Sequence, residues 1–316
     1  MSPGPRLDVQ LSWVVVSHES ARDLQGFLPS LRANLKSLER RGFASELIVV
    51  DNASTDGSDK VARELVPEAL VLRLEQNVGY GAAVNRAASI ARGDWLAVGN
   101  ADLLVPEGGL DRLPATLAGV APDVALVGPA IHDRAGRLSP SAGRFPTLKT
   151  LIAGLPRASH RRKYLRVGRH RPGFVDWVTG ACQFMRRDVF AAMEGFDEQF
   201  FLYYEDVDLA LRLARHGHQT LYEPSLSVMH VRPHHGRPPA TCTERHVRDG
   251  RIAYFRKHRP AWEQAALGAL MRLEPFLRPR LRRATERKTI PLPQPPAEVR
   301  RPLSQRGRVP SRRGLG

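Results

Sequence analysis

The amino-acid sequence predicts an α/β protein whose central sheet is mostly parallel and flanked by helices. In the first third of the chain, short apolar segments alternate four times with segments whose apolar residues recur at helical spacing. The links between them are short, which is the pattern of a doubly wound, Rossmann-like sheet. Ligands of such sheets bind beyond the carboxyl ends of the strands, so the polar residues that follow each apolar segment are candidate binding residues.

The first half of the chain supplies most of this pattern. An apolar run at residues 11–17 predicts the first strand, and the helical spacing of leucines predicts a helix over residues 21–41. Further strands are predicted at residues 46–50, 69–74 and 94–98. Further helices are predicted at residues 59–65 and 81–91, and another is expected to begin at Pro106, because proline suits the first turn of a helix.

The second half is less regular. Strands are predicted at residues 125–131, 174–179, 219–222 and 225–230. Helices are predicted at residues 205–215, 241–257 and 261–277, the last with an apolar face. The dense basic stretch 157–171 is expected to be a surface loop, and the Pro- and Arg-rich residues beyond Arg278 predict disorder.

The basic charge of the chain is concentrated at its C-terminal end. The formal net charge is +16, and residues 276–316 hold twelve Arg or Lys against two Glu, a net of +10. This tail is open to three interpretations: it binds nucleic acid, it binds an anionic membrane surface, or it is a disordered solubilising tail.

Two function classes are not expected from composition. No apolar run is long enough to span a membrane, and residues 1–10 lack the apolar core of a signal peptide. The two cysteines, Cys182 and Cys242, lie far apart and show no metal-ligand spacing. We therefore expect a cytoplasmic protein with reduced thiols.

An acidic cluster is the most informative local feature. Glu205, Asp206 and Asp208 directly follow a run of large apolar and aromatic side chains that ends at Tyr204. Apolar surroundings and neighbouring like charges both raise the pKa of a carboxyl group, which suits a general base. The alternative is a solvated helix start, where acidic side chains interact favourably with the helix dipole.

Polar residues follow four of the predicted strands, at residues 17–19, 51–57, 77–81 and 100–102. Asp51 stands where a carboxylate can accept a hydrogen bond from a base N–H or a ribose hydroxyl, and the glycine-rich segment 77–81 opens a helix whose N-terminus suits a phosphate. Asn100-Ala101-Asp102 is a shortened form of an Asp-x-Asp metal pattern, and His230 could supply a further ligand. Capped turns and a structural histidine remain the alternatives.

In this order, these motifs resemble glycosyltransferase family 2, whose members have the GT-A fold. The matching residues are 14–17, 49–58, 77–81 with Asn85, 100–102, 180–182, 195–198, Phe201, 204–209 and His230. Within the family, residues 79–87 and 140–142 are similar to rhamnosyltransferases that act on polyprenyl-diphosphate-linked sugars.

The resemblance implies specific roles. The expected nucleotide-sugar contacts are Ser17, Asp51, Asn77, Gly79, Asn100 and Asp102. Asp102 and His230 would hold Mg²⁺ or Mn²⁺. Asp206 would act as the general base with support from Glu205, and Tyr204 and Asp208 would contact the acceptor.

The resemblance also implies an organisation and a reaction. Residues 1–10 would be flexible, and a single GT-A domain would cover residues 11–260, with a nucleotide-sugar half to about residue 120 and an acceptor half after it. An amphipathic helix (261–277) and a basic tail (278–316) would follow. The expected reaction is inverting transfer, with dTDP-rhamnose as the preferred donor, to a polyprenyl-diphosphate-linked sugar or a glycan acceptor at the inner face of the membrane. A homodimer is left open.

Two other functions compete with this interpretation. The charge alone is compatible with a nucleic-acid-binding protein, but the sequence lacks a known binding module and zinc-ligand spacing. A sugar-nucleotide pyrophosphorylase also uses a doubly wound sheet and a metal. That class would place a Gly-rich, basic loop after the first strand, where this chain has Ser17-His18-Glu19.

Overall fold

A nine-stranded mixed sheet forms the centre of the protein. The structure is a computed structural model that describes residues 9–154, 171–231 and 241–288 of the 316. The strands of the described chain are β1 (Leu11–Ser17), β2 (Ser45–Asp51), β3 (Leu70–Arg73), β4 (Trp95–Asn100), β5 (Leu103–Leu104), β6 (Val124–His132), β7 (Ala142–Gly143), β8 (Gly173–Val175), β9 (Trp177–Val178), β10 (Cys182–Arg186) and β11 (Gln219–His230). Its helices are α1 (Ala21–Glu39), α2 (Ser58–Leu65), α3 (Tyr80–Ala88), α4 (Leu113–Gly119), α5 (Leu148–Ala153), α6 (Arg187–Ala192), α7 (Glu205–Arg215), α8 (Thr241–His258) and α9 (Ala261–Lys288).

The strand order confirms the predicted α/β class. The sheet runs β3-β2-β1-β4-β10-β6-β11-β5, with β8 paired to β11. Strands β3, β2, β1 and β4 are parallel, and β10 lies antiparallel between β4 and β6. The parallel part therefore brings the carboxyl ends of β1, β2 and β4 to one edge, and β10 joins this part to the rest of the sheet.

Apolar cores lie on both faces of the sheet because side chains alternate along each buried strand. On one face Trp13 and Val15 of β1 pack with Phe27 of α1. On the other face Val14 packs with residues of α3 such as Ala83. Helices on both faces are what a doubly wound sheet needs to bury its strands.

The prediction that a helix begins at Pro106 is wrong. The chain turns through residues 107–112, and α4 begins only at Leu113. Gly108 has φ of +70°, a left-handed conformation that a helix does not contain, and a Cβ on Gly109 would lie 2.5 Å from the Ser227 carbonyl oxygen. The two glycines thus allow a tight turn against β11, and this tertiary contact outweighs the helix-start signal of the proline.

Two other predicted boundaries also differ. The strands predicted at residues 219–222 and 225–230 form one strand, β11, whose register shifts between Glu223 and Ser227 around Pro224. The helix predicted to end at residue 277 continues to Lys288, past the expected start of disorder. Residues 1–8, 155–170 and 289–316 lie outside the described residues, so the predictions made for them are not addressed by the structure. Among the described helices, none is both long and apolar enough to cross a membrane.

Candidate active site

Three of the predicted nucleotide-sugar residues lie together at the carboxyl edge of the parallel strands. Ser17 is the register partner of Asp51 across β1 and β2, and Val16 pairs with Asn100 across β1 and β4. Ser17 and Asp51 are fully buried. The parallel pairing that the sequence predicts is what brings these strand-end residues side by side.

Asp51 is a buried carboxylate without a hydrogen bond. Among the described residues, neither of its side-chain oxygens has a hydrogen-bond partner, and the neighbouring Ser17 hydroxyl also has none. The guanidinium of Arg73 is 3.8 Å from Asp51 but only 2.8 Å from Asp59, so its closer ion pair is with Asp59. A buried charged group without hydrogen bonds is costly. An unsatisfied carboxylate and an unsatisfied hydroxyl at a strand edge fit a ligand that carries hydroxyl or N–H donors.

Asn52 holds the glycine-rich loop against the end of β2, and sequence reasoning did not single it out. Its amide nitrogen donates to the Asn77 side-chain oxygen at 2.9 Å, and its oxygen accepts from the Val78 N–H at 3.0 Å. The Asn77 oxygen also accepts from the Gly79 N–H at 3.0 Å. The Asn77 oxygen is thus engaged within the loop, so Asn77 shapes the pocket through the backbone. The sequence signal that could have identified Asn52 is its position directly after Asp51 in residues 51–57.

Gly79 is a glycine because another part of the chain approaches it closely. Its φ is +89°, and a Cβ would lie 2.5 Å from the Phe201 carbonyl oxygen. The Tyr80 N–H donates to the same oxygen at 2.9 Å. The glycine-rich loop is therefore fastened to the segment that leads into the acidic cluster, a constraint that differs from the predicted phosphate contact.

The acidic cluster begins α7, and its second carboxylate faces the end of β4. Asp206 Oδ2 accepts from the Gly180 N–H at 3.0 Å, and its Oδ1 accepts from the Val207 N–H at 2.8 Å. The next residue, Ala181, accepts from the Asn100 N–H at 3.0 Å. The dipeptide Gly180-Ala181 thus lies between the Asp206 carboxylate and Asn100 at the end of β4. The first carboxylate of the cluster, Glu205, is also buried.

Strained backbone precedes this carboxylate. Tyr203 and Tyr204 have φ of 70° and 75°, a left-handed conformation that bulky residues rarely adopt. Strain of this kind costs roughly 1–3 kcal/mol per residue and persists where the surrounding packing enforces it, often at functional sites. Here it turns the chain so that α7 begins at Glu205.

Tyr80 supports the same region, and sequence reasoning did not identify it as a site residue. Its hydroxyl donates to the Gly180 carbonyl oxygen at 2.7 Å. Desolvation raises the pKa of Tyr80 well above its usual value, and the nearby charges of Glu205 and Asp206 raise it further. The phenol therefore stays protonated and holds Gly180 in place beside Asp206.

Asp102 and His230, the predicted metal ligands, are adjacent. His230 Nε2 is 3.0 Å from Asp102 Oδ1. The short pairing of β5 with β11 places His230 opposite Leu103, and the Val231 N–H donates to the Asp102 carbonyl oxygen at 2.9 Å. Both side chains are mostly buried, with 10% and 21% exposure for His230 and Asp102. The alternative ligands His234 and His235 lie outside the described residues.

The donor set around Asp102 fits a cation that is shared with a substrate. Within the described residues, no group of three or more His, Cys, Asp or Glu side chains is placed to hold a metal. One carboxylate and one imidazole leave most of a coordination shell to other oxygen atoms. Mg²⁺ is commonly held in this way, by one or two protein groups together with substrate phosphates.

The structure does not support an acceptor contact by Tyr204. The side chain is 2% exposed and packs on the ring of Tyr254, with ring centroids 5.7 Å apart. Its hydroxyl accepts from the Arg251 guanidinium at 3.3 Å. Tyr204 thus packs in the core between α7 and α8, and its acceptor contact stays a prediction.

Asp208 is likewise structural. It is fully buried and accepts from Arg212 Nε at 2.8 Å, from Lys257 Nζ at 2.8 Å and from His258 Nε2 at 2.6 Å. Burial by itself raises the pKa of Asp208, but the hydrogen bonds from His258 and Lys257 and the charge of Arg212 outweigh it and lower the pKa to about 2. An acid held by this many partners fastens α7 to α8, and its acceptor contact stays a prediction.

An open groove lies beside the acidic cluster instead. It has a volume of about 650 Å³ between residues 199–202 and the face of α8 that carries Arg245, His246 and Asp249. Phe201 is 42% exposed there, and its ring stacks on His246 with centroids 5.2 Å apart. Sequence reasoning placed Phe201 among the family matches but could not pair it with α8, which is more than forty residues away.

Comparison with known proteins assigns the chain to a family. The sequence profile described as Glycosyl transferase family 2 matches residues 12–193. An N-acetylglucosaminyl-diphospho-decaprenol L-rhamnosyltransferase from Mycobacterium tuberculosis is 33% identical over 303 residues, which cover 87% of this chain and 95% of that protein. Rhamnosyltransferase WbbL from Escherichia coli is 31% identical over 108 residues, which cover 34% of this chain and 39% of that protein.

Solved structures share the fold at low sequence identity. A mannosyltransferase from Pyrobaculum calidifontis, in complex with GDP-Man and Mn²⁺, has a TM-score of 0.52 at 17% identity and covers 88% of each chain. GalNAc-T7 with UDP, GalNAc and Mn²⁺ has a TM-score of 0.53 at 17% identity and covers 77% of this chain and 48% of that chain. These likenesses confirm the predicted GT-A fold. With the profile match over more than half of its length, the chain belongs to glycosyl transferase family 2.

Proposed function

We propose that this glycosyltransferase moves a sugar, with rhamnose from dTDP-rhamnose as the preferred donor, to a polyprenyl-diphosphate-linked sugar in cell-envelope glycan assembly. The relative from Mycobacterium tuberculosis supports this choice, since its name states a lipid-linked acceptor and rhamnosyl transfer and its similarity extends over nearly the whole chain. Neither alternative, a nucleic-acid-binding protein or a pyrophosphorylase, is supported by the comparisons.

The observation that carries the proposal is the position of Asp206. Its carboxylate bonds to Gly180, and the adjoining Ala181 bonds to the end of β4, which leads into Asp102. These two contacts support the proposal that Asp206, as the proton acceptor, and Asp102, as the diphosphate-binding acid, act at the same edge of the sheet. Transfer between two bound sugars needs this arrangement, because holding both reactants in position supplies much of the rate acceleration.

The donor nucleotide is proposed to bind at the ends of β1 and β2. The Asp51 carboxylate and the Ser17 hydroxyl would accept or donate hydrogen bonds to the base or ribose, which would satisfy two groups that lack partners. Asn52, through its bonds to the 77–79 loop, would shape the other side of the pocket. Gly79 and Asn100 would approach the donor with their backbones.

The reaction is proposed to invert the anomeric carbon in one displacement. The acceptor hydroxyl oxygen forms a bond to that carbon while the bond from the carbon to the diphosphate oxygen breaks, and the diphosphate leaves with the electron pair. Asp206 takes the proton that the acceptor oxygen loses. Glu205, which is buried beside Gly180, would support the Asp206 carboxylate in this role.

A divalent cation, Mg²⁺ or Mn²⁺, is proposed to bind with the donor. When bound, it would offset the negative charge that develops on the departing diphosphate. Asp102 and His230 are the side chains that would hold it. Since His230 Nε2 lies 3.0 Å from Asp102 Oδ1, one side chain would turn slightly for both to face the cation.

The groove between residues 199–202 and α8 is the proposed acceptor site. Tyr204 and Asp208 are buried, whereas Phe201 and His246 are accessible at its wall. An aromatic side chain can pack against a sugar face, and Arg245 and His246 can approach a phosphate. Because the acceptor is lipid-linked, the enzyme is expected to work at the inner face of the membrane.

The experiment that tests the proposal combines donor binding with turnover. Nucleotide-sugars are screened for a Mn²⁺-dependent rise in melting temperature, and transfer from the best donor to a short-chain polyprenyl-diphosphate-linked N-acetylglucosamine is then measured. We expect dTDP-rhamnose to give the largest rise. A larger rise with another nucleotide-sugar would reject the donor, and no rise with any donor would reject the whole proposal.

Asp206→Asn tests the base assignment. We expect kcat to fall at least about 1,000-fold while donor binding changes less than about two-fold, because general-base catalysis contributes roughly 100- to 10,000-fold. Asp188→Asn is a matched control: Asp188 also occupies the second position of its helix and also accepts from the next N–H at 2.8 Å, but it is exposed. Retained activity in Asp206→Asn would show that another group accepts the proton.

A further inference from the structure

One face of α9 leaves large apolar side chains in solvent. Trp262 is 64% exposed, Leu273 is 53% exposed and Phe276 is 70% exposed. A helix advances about 100° per residue, so positions 11 and 14 residues after Trp262 return to within about 40° of its direction. These three residues, with Ala269 between them, form one apolar stripe along the helix, which we call the α9 stripe.

The opposite face of the same helix is fixed to the protein. Leu267 is buried in the core, and Leu270 packs against it. Glu263 is held by Arg259 at 2.9 Å and accepts from the Leu148 N–H at 3.1 Å. The orientation of α9 is therefore set by its contacts with α8 and α5, and the α9 stripe faces outward as a consequence.

The positive charge next to the α9 stripe indicates that the stripe contacts an anionic surface. Arg272 is exposed next to Leu273, and the sequence from Phe276 onward carries twelve Arg or Lys and only two Glu. An apolar helix face bordered by cationic residues is typical of helices that lie in a membrane interface. Each cationic residue near an anionic membrane contributes about 1 kcal/mol of attraction.

A second copy of the chain is a poorer occupant. Two copies that met through the α9 stripe would bring two strongly basic segments together, and like charges repel. An anionic lipid surface offers the opposite charge together with an apolar layer. We propose that α9 docks on anionic lipid, with Trp262, Leu273 and Phe276 entering the interface and Arg272 contacting headgroups.

The chain carries its own reporter for this contact. Of its four tryptophans, Trp13, Trp95 and Trp177 are buried, whereas Trp262 is exposed. We expect the tryptophan fluorescence emission of the full-length protein to shift to shorter wavelength when vesicles of phosphatidylcholine with phosphatidylglycerol are added. Brominated lipids should quench this emission, and Trp262→Phe should abolish both effects. An unchanged spectrum with phosphatidylglycerol vesicles would overturn the proposal.

A pair of double variants tests the stripe itself. Leu273→Ser with Phe276→Ser should weaken binding to phosphatidylglycerol vesicles at least ten-fold in co-sedimentation. Leu70→Ser with Phe174→Ser is the matched control, because these residues are 53% and 65% exposed on other elements of the protein. The control should bind as the unchanged protein does. Equal binding by both double variants would show that the stripe does not contact lipid.

Two further readouts separate this inference from its alternatives. Sedimentation equilibrium without lipid should show the same mass for the stripe variant and the control; a dimer lost only in the stripe variant would overturn the proposal in favour of a second copy. Transfer to a short-chain acceptor in solution should be unchanged by the stripe variant. The inference rests on the proposed function only in that a lipid-linked acceptor places the enzyme at a membrane. Vesicle binding without any transfer activity would therefore reject the proposed function and still support the α9 stripe as a lipid-binding surface.

Discussion

Two buried aspartates, Asp51 and Asp208, differ in the hydrogen-bond and charge partners of their carboxylates. Both are essentially inaccessible to solvent. Asp208 accepts from an arginine, a lysine and a histidine on α7 and α8. Asp51 has no hydrogen bond to its carboxylate and only a long 3.8 Å approach by Arg73.

The difference indicates which acid serves stability and which serves binding. A buried carboxylate is tolerated when charged donors surround it, and removing it then leaves those donors uncompensated. A buried carboxylate without hydrogen bonds costs the folded state free energy, which a ligand can recover. The comparison therefore predicts opposite consequences for the same Asp→Asn substitution at the two positions.

Asp208→Asn should produce the largest effect. We expect the free energy of unfolding at neutral pH to fall by about 3 kcal/mol, because the substitution leaves the mostly buried charge of Arg212 without its anion and removes one of the two carboxylates that pair with Lys257. Urea denaturation followed by circular dichroism measures this change. Asp249→Asn is the control, since Asp249 is 57% exposed on α8 in a 3.7 Å ion pair with Arg245, and it should change stability by less than about 1 kcal/mol.

Activity gives a second criterion for Asp208. If its role is to hold α7 against α8, the folded fraction of Asp208→Asn at low temperature should keep KM for the acceptor within about two-fold of the unchanged protein. A KM raised ten-fold or more with unchanged stability would reverse the assignment and return Asp208 to the acceptor site.

The pH dependence of stability should give the next largest effect. The folded-state pKa of Asp208 is lowered to about 2, so its stabilising contribution is present above the unfolded pKa near 4 and is lost as the pH falls from 4 toward 2. A shift of nearly two pKa units corresponds to about 2 kcal/mol. Unfolding free energies measured at pH 6 and pH 2.5 should therefore differ by about 2 kcal/mol more in the unchanged protein than in Asp208→Asn. An equal difference would show that Asp208 does not govern this transition.

Local patterns predicted most of the fold but not the partners of Asp208. The bounds of α7 were predicted as observed, because acids at its start and a glycine after its end are local signals. Lys257 and His258 are about fifty residues from Asp208, and no spacing rule links them to it. The acidic cluster therefore looks like one functional unit in the sequence, whereas in the fold all three acids are buried and Asp208 is held by Lys257 and His258 of α8.

The same limit explains the differences at Gly79 and Gly109. Gly79 fits the local rule for a phosphate loop, and Gly109 follows the helix start predicted at Pro106. Each lies where a distant carbonyl oxygen is 2.5 Å from the position a Cβ would take. The strand-end residues were easier to predict, since parallel pairing by itself aligns Ser17 with Asp51. Sequence reasoning thus worked where helix periodicity or regular strand pairing determines a position, and it failed where side chains or irregular segments distant in the sequence meet.

Asp51→Asn completes the comparison with the smallest expected effect on the protein. Stability should stay within about 1 kcal/mol or rise slightly, because the neutral amide is less costly to bury than an unsatisfied carboxylate. Affinity for the donor nucleotide, measured by calorimetry, should fall about ten-fold, which is roughly 1.4 kcal/mol and typical of a lost hydrogen bond to a charged group. Asp111→Asn, at an exposed acid paired with Arg41, should change neither quantity. A loss of stability near that of Asp208→Asn, with donor affinity retained, would mean that Asp51 is a second structural acid and that the nucleotide binds elsewhere.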